Sequence, residues 1–186
     1  IKPIQNEITL KGKKIGTWTG NKGDSKFIPD DTSENESINT FLKDNDIDGI
    51  EYKDGVPDFF MVADASVEIS DMTQYRHRNE RPDRKEGNFE QAYAALAEKF
   101  NVNEKDGKTN WTSDEVKDWA KDPSMHDGHI LIVHENPDTK TCDFVRDDIH
   151  SFFKHAGGCL ECKIRDNQNG RWSDYKIEND DGGFDE

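Results

Sequence analysis

One segment near the C-terminal end constrains the fold of this chain more than any other part of the sequence. An apolar run over residues 130–133 ends at His134 and has the length of a buried β-strand. Residues 136–138, Asn-Pro-Asp, favour a turn. Residues 141–145 then have the pattern of a hairpin partner, and residues 147–155 that of a helix. The segment therefore predicts two antiparallel strands followed by a helix.

The preceding part of the chain predicts shorter elements in mixed order. Alternating runs bounded by Gly, Asn and Asp are typical of strands, whereas apolar residues repeated every three or four positions are typical of helices. We predict strands within residues 1–30 and at 50–53 and 65–69, and helices at 34–43 with Ser33 as cap, at 89–100, and after a capping box at 112–115. The expected fold class is α+β, divided into an N-terminal α+β part (1–125), the strand–strand–helix part (126–165) and an acidic tail (166–186) that should fray.

Charge limits the kinds of function that the chain can have. Its formal net charge is −15. Proteins that hold nucleic acid by overall electrostatics are basic, because Lys and Arg displace counterions from phosphates, so a nucleic-acid substrate would need a local basic groove or a metal ion. No run approaches the roughly 18 apolar residues of a membrane span, and no signal-peptide pattern is present. Because the sequence begins at Ile1, we expect it to be a piece of a longer chain.

The densest basic stretch of the chain contains Arg76, Arg78, Arg81, Arg84 and Lys85. A stretch of this kind is either a solvated loop or an edge that contacts phosphates. These five residues are the candidate nucleic-acid-binding set.

Three of the six histidines, His134, His150 and His155, lie in the predicted strand–strand–helix segment. Neutral imidazole is the commonest protein ligand of transition metals, and three such ligands leave positions open for water and a phosphate oxygen. His150 and His155 are five residues apart, so both reach one ion only if the helix ends near His155, where Gly157 and Gly158 predict a stop. Taken singly, each histidine is more often a surface or helix-end residue.

The cysteines Cys142, Cys159 and Cys162 are odd in number, and the last two form a lone Cys-x-x-Cys. This spacing without a second pair favours reduced thiols or an oxidisable pair. The alternative is a structural zinc clip that combines the two close cysteines with His150.

Residues 133–145 and 148–158 together resemble the HNH/endonuclease VII superfamily. Within it they are similar to bacterial toxin nucleases whose motif begins with Trp-His-His or Trp-His-Glu and ends with His, four residues, His and Gly-Gly. Here Val133 stands in place of the Trp. Residues 23–29, 48–59 and 111–112 are similar to the segments that precede the motif in the same toxins. The resemblance implies a ββα-metal (His-Me finger) motif in the C-terminal toxin domain of a bacterial polymorphic toxin.

The resemblance also implies roles for individual residues. His134 corresponds to the first histidine of the motif, and His150 and His155 correspond to the metal ligands on the helix side. Asp143 lies near the position of an Asn that orients the site. Glu135 stands where related nucleases have the general base, so either His134 or Glu135 could bind the metal while the other activates water. The implied cofactor is one divalent ion: Zn, Mg, Mn or Ni.

The function expected on this basis is that of a metal-dependent endonuclease toxin that hydrolyses the DNA of a competitor cell. An RNase with the same site and a non-enzymatic, zinc-stabilised binding module are the alternatives. The resemblance implies delivery as part of a larger toxin into the cytoplasm of the target cell. It also implies a cognate immunity protein, for which the acidic charge of the chain suggests a basic face.

Overall fold

The computed structural model describes residues 9–10, 13–155 and 158–175, which form three antiparallel sheets with helices packed against them. The strands are β1 (Thr9–Leu10), β2 (Lys13–Lys14), β3 (Gly16–Trp18), β4 (Lys26–Pro29), β5 (Ile50–Lys53), β6 (Val56–Pro57), β7 (Ala65–Glu68), β8 (Leu131–Glu135) and β9 (Thr141–Arg146). The α-helices are α1 (Glu36–Asp44), α2 (Asn88–Val102), α3 (Ser113–Ala120), α4 (Asp147–Phe152) and α5 (Gly158–Gln168). The predicted α+β class is confirmed. None of the helices in this described part has the length and apolar composition of a membrane-spanning helix.

One hydrophobic core lies between the four-stranded sheet β3-β4-β5-β6 and the helices α1 and α4. Phe27 of β4, Leu42 of α1, Ile50 of β5 and Ile149 of α4 are buried in it. Because α4 belongs to the predicted strand–strand–helix segment, that segment rests on a sheet built from the N-terminal part of the chain.

The second core lies between helices α2 and α3 and the three-stranded sheet, which has the order β7-β9-β8. Leu96 of α2, Val116 of α3 and Phe144 of β9 are fully buried in it. Strand β9 is central, so Asp143 lies opposite His134 on one side and opposite Ser66 on the other. The predicted hairpin is thus completed by a strand from the N-terminal half.

The strand–strand–helix order is present as β8, β9 and α4, but the helix is shorter than predicted. It ends at Phe152 because Phe153 leaves helical geometry, with φ −87° and ψ 88°. The Phe153 ring is fully buried and packs against Phe27 and Phe59. Burying an aromatic ring is worth more than one further turn of an exposed helix. His155 consequently lies beyond the helix rather than on it.

Helix α5 is not predicted by the sequence patterns. Gly158, expected to stop the preceding helix, is its first residue. A Cβ at Gly158 would lie 2.3 Å from the carbonyl oxygen of Asn136, so glycine lets α5 begin against the end of β8. The helix continues past position 166, where the predicted tail begins, and Trp172 beyond it packs on Tyr75 with ring centroids 5.2 Å apart. Gly157 and the tail after residue 175 lie outside the described residues.

The two helix starts that the sequence predicted have different outcomes. Ser33 is not a helix cap, because it begins a short 3-10 turn (Ser33–Asn35) that precedes α1. The capping box of α3 is confirmed. The Thr112 hydroxyl accepts a hydrogen bond from the Glu115 backbone N–H, and the Glu115 carboxylate accepts one from the Thr112 N–H at 2.8 Å.

Candidate functional site

The structure brings His134, His150 and His155 together. His134 is near the end of β8, His150 is on α4, and His155 lies where the chain has left α4. One ligand nitrogen from each lies within 4.8 Å of the others. The ring centroids are 4.6 Å apart for His134 and His155, 4.9 Å for His150 and His155, and 5.7 Å for His134 and His150. We call these three residues the histidine cluster.

Phe59 forms an aromatic wall beside the histidine cluster. Its side chain is fully buried between β6 and β7, and its ring centroid lies 4.8, 6.0 and 5.6 Å from those of His134, His150 and His155. An apolar ring at this distance holds the imidazoles in place and keeps water off one side of them. The sequence analysis did not single out Phe59, because an aromatic residue after a strand is typical of any core.

Burial keeps the histidine cluster uncharged. It lowers the pKa of His134 to about 2, with a further contribution from the nearby His155 and His150. It lowers the pKa of His150 to about 4, again with help from His155. Burial also lowers the pKa of His155, against the opposing effect of a hydrogen bond to the Phe153 carbonyl. At neutral pH all three imidazoles are therefore neutral, which is the form that binds metals.

Hydrogen bonding leaves lone pairs available in the histidine cluster. The Nε2 of His134 is buried and has no hydrogen-bond partner among the described residues. The Nδ1 of His155 lies 2.7 Å from the Phe153 carbonyl oxygen. Because a carbonyl oxygen can only accept, this nitrogen carries the hydrogen and the Nε2 of His155 keeps its lone pair. A metal ligand needs a nitrogen lone pair that is not engaged in a hydrogen bond, and the Nε2 atoms of His134 and His155 both meet this condition.

Glu135 lies in the same cleft but outside the histidine cluster. Its carboxylate is buried, and burial raises its pKa. The Cys159 thiol of α5 donates a hydrogen bond to Oε2, while Oε1 has no hydrogen-bond partner in the described part of the chain and lies 3.8 Å from Nε of Arg76. Of the two residues left open as ligand or base, the structure groups His134 with the other two imidazoles.

Asp143 is hydrogen-bonded to side chains next to the hairpin and does not join the histidine cluster. Its buried carboxylate accepts hydrogen bonds from the hydroxyl of Ser66 at 2.5 Å and from the side-chain amide of Asn136 at 2.9 Å. These bonds tie β9 to β7 and to the turn that follows β8. Asp143 therefore links the hairpin to its neighbouring strand.

The candidate nucleic-acid-binding set is divided by the structure. Arg76 is exposed and lines the cleft that contains the histidine cluster. Arg78 and Lys85 border a separate depression, and the guanidinium of Arg84 donates to the Asn79 carbonyl at 2.7 Å. Only the first of these residues faces the same space as the histidines.

Arg81 is not available to contact nucleic acid at the surface. Its side chain is 1% exposed, and its guanidinium donates to the carboxylates of Asp83 and Asp71 and to the Glu86 carbonyl. Sequence patterns cannot distinguish such a buried arginine from its exposed neighbours, because the acidic residues that pair with it are equally common on protein surfaces. Arg81 therefore holds its loop together instead of forming part of a basic edge.

A second cation of the cleft, Lys154, was missed by the sequence analysis. It is exposed and lies between His150 and His155 in the chain, lining the same cleft of about 570 Å³ as Arg76. Its position between two candidate metal ligands is the pattern that could have identified it. The two cations offset the carboxylates of Glu80 and Glu135, which line the same cleft, within a chain that is acidic overall.

The geometry does not support a zinc clip, whereas a second group of possible metal donors does contain a histidine. Cys159 is engaged by Glu135, whereas the thiol of Cys162 points to the Met72 carbonyl oxygen at 3.4 Å. Among the described residues, neither cysteine belongs to a group of three donors close enough to share one ion. His129, Asp147 and Asp148 do form such a group, but the Nδ1 of His129 is already paired with the Asp147 carboxylate at 3.0 Å, and the Asp148 carboxylate is paired with Arg146 at 2.8 Å.

Comparison with known proteins identifies the family. The family model described as the DNase/tRNase domain of colicin-like bacteriocin matches residues 49–157, a range that includes the histidine cluster, Glu135 and both cleft cations. No curated protein sequence and no solved structure is significantly similar to the chain. Because the family match covers more than half of the 186 residues, the chain belongs to the family of DNase/tRNase domains of colicin-like bacteriocins and is a nuclease toxin domain.

Proposed function

We propose that the domain is a metal-dependent endonuclease that hydrolyses phosphodiester bonds in DNA, with one divalent ion held by His134, His150 and His155. The observation that carries this proposal is the convergence of three neutral imidazoles within 4.8 Å in a cleft lined by two cations. The order β8, β9, α4 and the family match support a ββα-metal motif of the HNH type. Residues 126–165 are then the catalytic part, and the domain is the toxic end of a larger polymorphic toxin.

The donor set fits a divalent metal ion. The orphaned Nε2 of His134 and the tautomer fixed on His155 provide lone pairs without any change of protonation. A bound ion would supply Lewis-acid stabilisation to the charge that builds on the phosphate and on the leaving 3′-oxygen. Imidazole donors favour Zn or Ni in affinity, whereas Mg or Mn commonly supports catalysis, so all four are candidates.

Glu135 is the proposed general base. Its free Oε1 accepts the proton of the attacking water, while His134 serves as a metal ligand. The carboxylate is almost fully buried at the edge of the cleft, so few solvent molecules compete for it. In-line attack of the activated water on the phosphorus then gives a 5′-phosphate product.

Arg76 and Lys154 are the proposed phosphate contacts. Both are exposed, and they lie in the cleft together with the histidine cluster. Because the chain as a whole is acidic, these two side chains and the proposed metal ion must together supply the local attraction for the substrate.

RNA is the alternative substrate, since the family includes both DNase and tRNase domains. The same residues serve either polymer, because the reacting group is a phosphodiester in both. As a member of a bacteriocin family, the domain would enter a target cell as part of a larger toxin. Its producer would carry a cognate immunity protein.

The test is cleavage by purified, metal-stripped domain of supercoiled plasmid, structured RNA and tRNA, with Mg, Mn, Zn or Ni added singly. We expect plasmid cleavage that depends on metal, is abolished in His150→Ala and persists in the matched control His129→Ala. Titration calorimetry should show one bound ion in the wild type and loss of binding in His150→Ala. Cleavage of RNA alone would change the substrate and keep the site. A folded domain inactive with every metal would overturn the proposal.

A further inference from the structure

Helix α5 reaches the cleft from outside the part of the chain that matches the family. The match ends at residue 157, and α5 begins at Gly158. The next residue, Cys159, lines the cleft and donates its thiol hydrogen to Oε2 of Glu135. An element beyond the family match therefore makes direct contact with the residue proposed to activate water.

The position of Cys159 is fixed by backbone packing. An added Cβ at Gly158 would lie 2.3 Å from the Asn136 carbonyl oxygen and 3.0 Å from that of Glu135. The start of α5 is thus pressed against the end of β8. Further along, Arg165 donates to the Met72 carbonyl at 2.7 Å, and Arg171 pairs with Asp71 at 2.8 Å. Cys159 is held at both ends of its segment.

The two oxygens of the Glu135 carboxylate have different surroundings. Oε2 accepts the thiol hydrogen bond, whereas Oε1 is buried, has no hydrogen-bond partner within residues 9–10, 13–155 and 158–175, and lies 3.8 Å from Nε of Arg76. The last torsion of a glutamate side chain is soft, so without a partner the carboxylate plane rotates freely. A single hydrogen bond at one oxygen sets the direction of the other.

We propose that Cys159 is a positioning residue for Glu135: its thiol holds Oε2 and so directs Oε1 into the cleft. This inference rests on the role of general base proposed for Glu135. The thiol does not take part in the reaction itself. The thiol favours the carboxylate orientation in which Oε1 reaches the attacking water. Its loss should therefore lower the rate of the chemical step and leave substrate binding unchanged.

The kinetic test compares three single variants in the metal-loaded protein. Cys159→Ala removes the donor and should lower kcat about tenfold with KM within twofold of the wild type. Cys159→Ser keeps a donor and should restore most of the lost rate. Cys162→Ala, on the same helix but with its thiol in the core, is the matched control and should leave kcat unchanged. Full activity of Cys159→Ala, or a serine variant as slow as the alanine variant, would overturn the inference.

A double-mutant cycle separates positioning from a general loss of structure. In a Glu135→Gln background, Cys159→Ala should cause little further loss, because the group that it positions no longer acts as a base. The same tenfold loss in both backgrounds would mean that the thiol acts on the fold alone. An inactive wild type, or an active His150→Ala variant, would instead overturn the proposed function.

Infrared spectroscopy of the metal-free protein gives a readout without activity. The S–H stretching band that disappears in Cys159→Ser should lie at low frequency, since the thiol donates to a carboxylate. In Glu135→Gln this band should move to higher frequency, because a neutral amide oxygen is a weaker acceptor. A band unaffected by Glu135→Gln would contradict the hydrogen bond on which the inference depends.

Discussion

Acidification should destabilise the metal-free domain through the histidine cluster. Burial lowers the pKa of His134 to about 2 and that of His150 to about 4, whereas an unfolded histidine titrates near 6.5. Below pH 6.5 the unfolded chain therefore binds protons that the folded chain does not. The stability is fully present above pH 6.5 and is lost as the pH falls from there toward the folded pKa values.

The expected loss follows from the size of this window. Each pH unit below 6.5 costs about 1.4 kcal/mol per histidine, so lowering the pH from 7 to 5 removes about 2 kcal/mol for each of His134 and His150. The sum of about 4 kcal/mol is a large part of the roughly 5–15 kcal/mol that stabilises a typical domain. His155 adds to this loss, because burial lowers its pKa as well, whereas Glu135 and Asp64 act in the opposite direction, because burial raises their pKa values.

The assay is urea unfolding at pH 7, 6 and 5 in the presence of a chelator, for the wild type and for His150→Asn. Asparagine cannot take up the proton, so the loss between pH 7 and 5 should be about 2 kcal/mol smaller in the variant. Comparing pH differences removes any constant effect of the substitution on stability. Equal pH dependence in the two proteins would refute the assignment of buried, neutral imidazoles.

Three further predictions concern side chains around the cleft. Phe59→Ala should lower the free energy of unfolding by about 3–5 kcal/mol in urea titrations, because it leaves a cavity beside the histidine cluster, and calorimetry should show weaker metal binding. Arg76→Ala should raise KM for nucleic acid and reduce the slope of log affinity against log salt by about one, whereas Arg84→Ala should change neither. Arg81→Ala should cost about 3–5 kcal/mol in thermal unfolding, because it leaves the carboxylate of Asp83 without its partner; unchanged stability would refute the structural role of this arginine.

The parts of the site that the sequence predicted are those that depend on local pattern. Residues 50–53 alternate, and β5 has the same bounds. The apolar run before His134 and the turn after it predicted a hairpin, and the hairpin brings His134 toward α4. The three histidines could be chosen because all of them fall within one predicted strand–strand–helix segment.

The parts that the sequence did not predict depend on packing between distant segments. Helix α4 ends early because Phe153 is buried against Phe27, more than a hundred positions away in the chain. Gly158 is compatible with a helix stop by its residue type, but its close approach to Asn136 is visible only once β8 and α5 are in place. The buried state of Arg81 likewise follows from the position of Asp71 in three dimensions.

The pairing of β7 with β9 bears on how such a toxin can be recombined or engineered. The edge of the sheet and the Ser66 hydroxyl that holds Asp143 come from the N-terminal half, as does Phe59, which packs on all three imidazoles. A cassette limited to residues 126–165 would carry the metal ligands but would leave β9 with an unpaired edge, open to association with other chains. An exchange between toxins that preserves activity should therefore place its crossover before Phe59, so that Phe59, β7 and the β8–β9 hairpin all come from the same toxin.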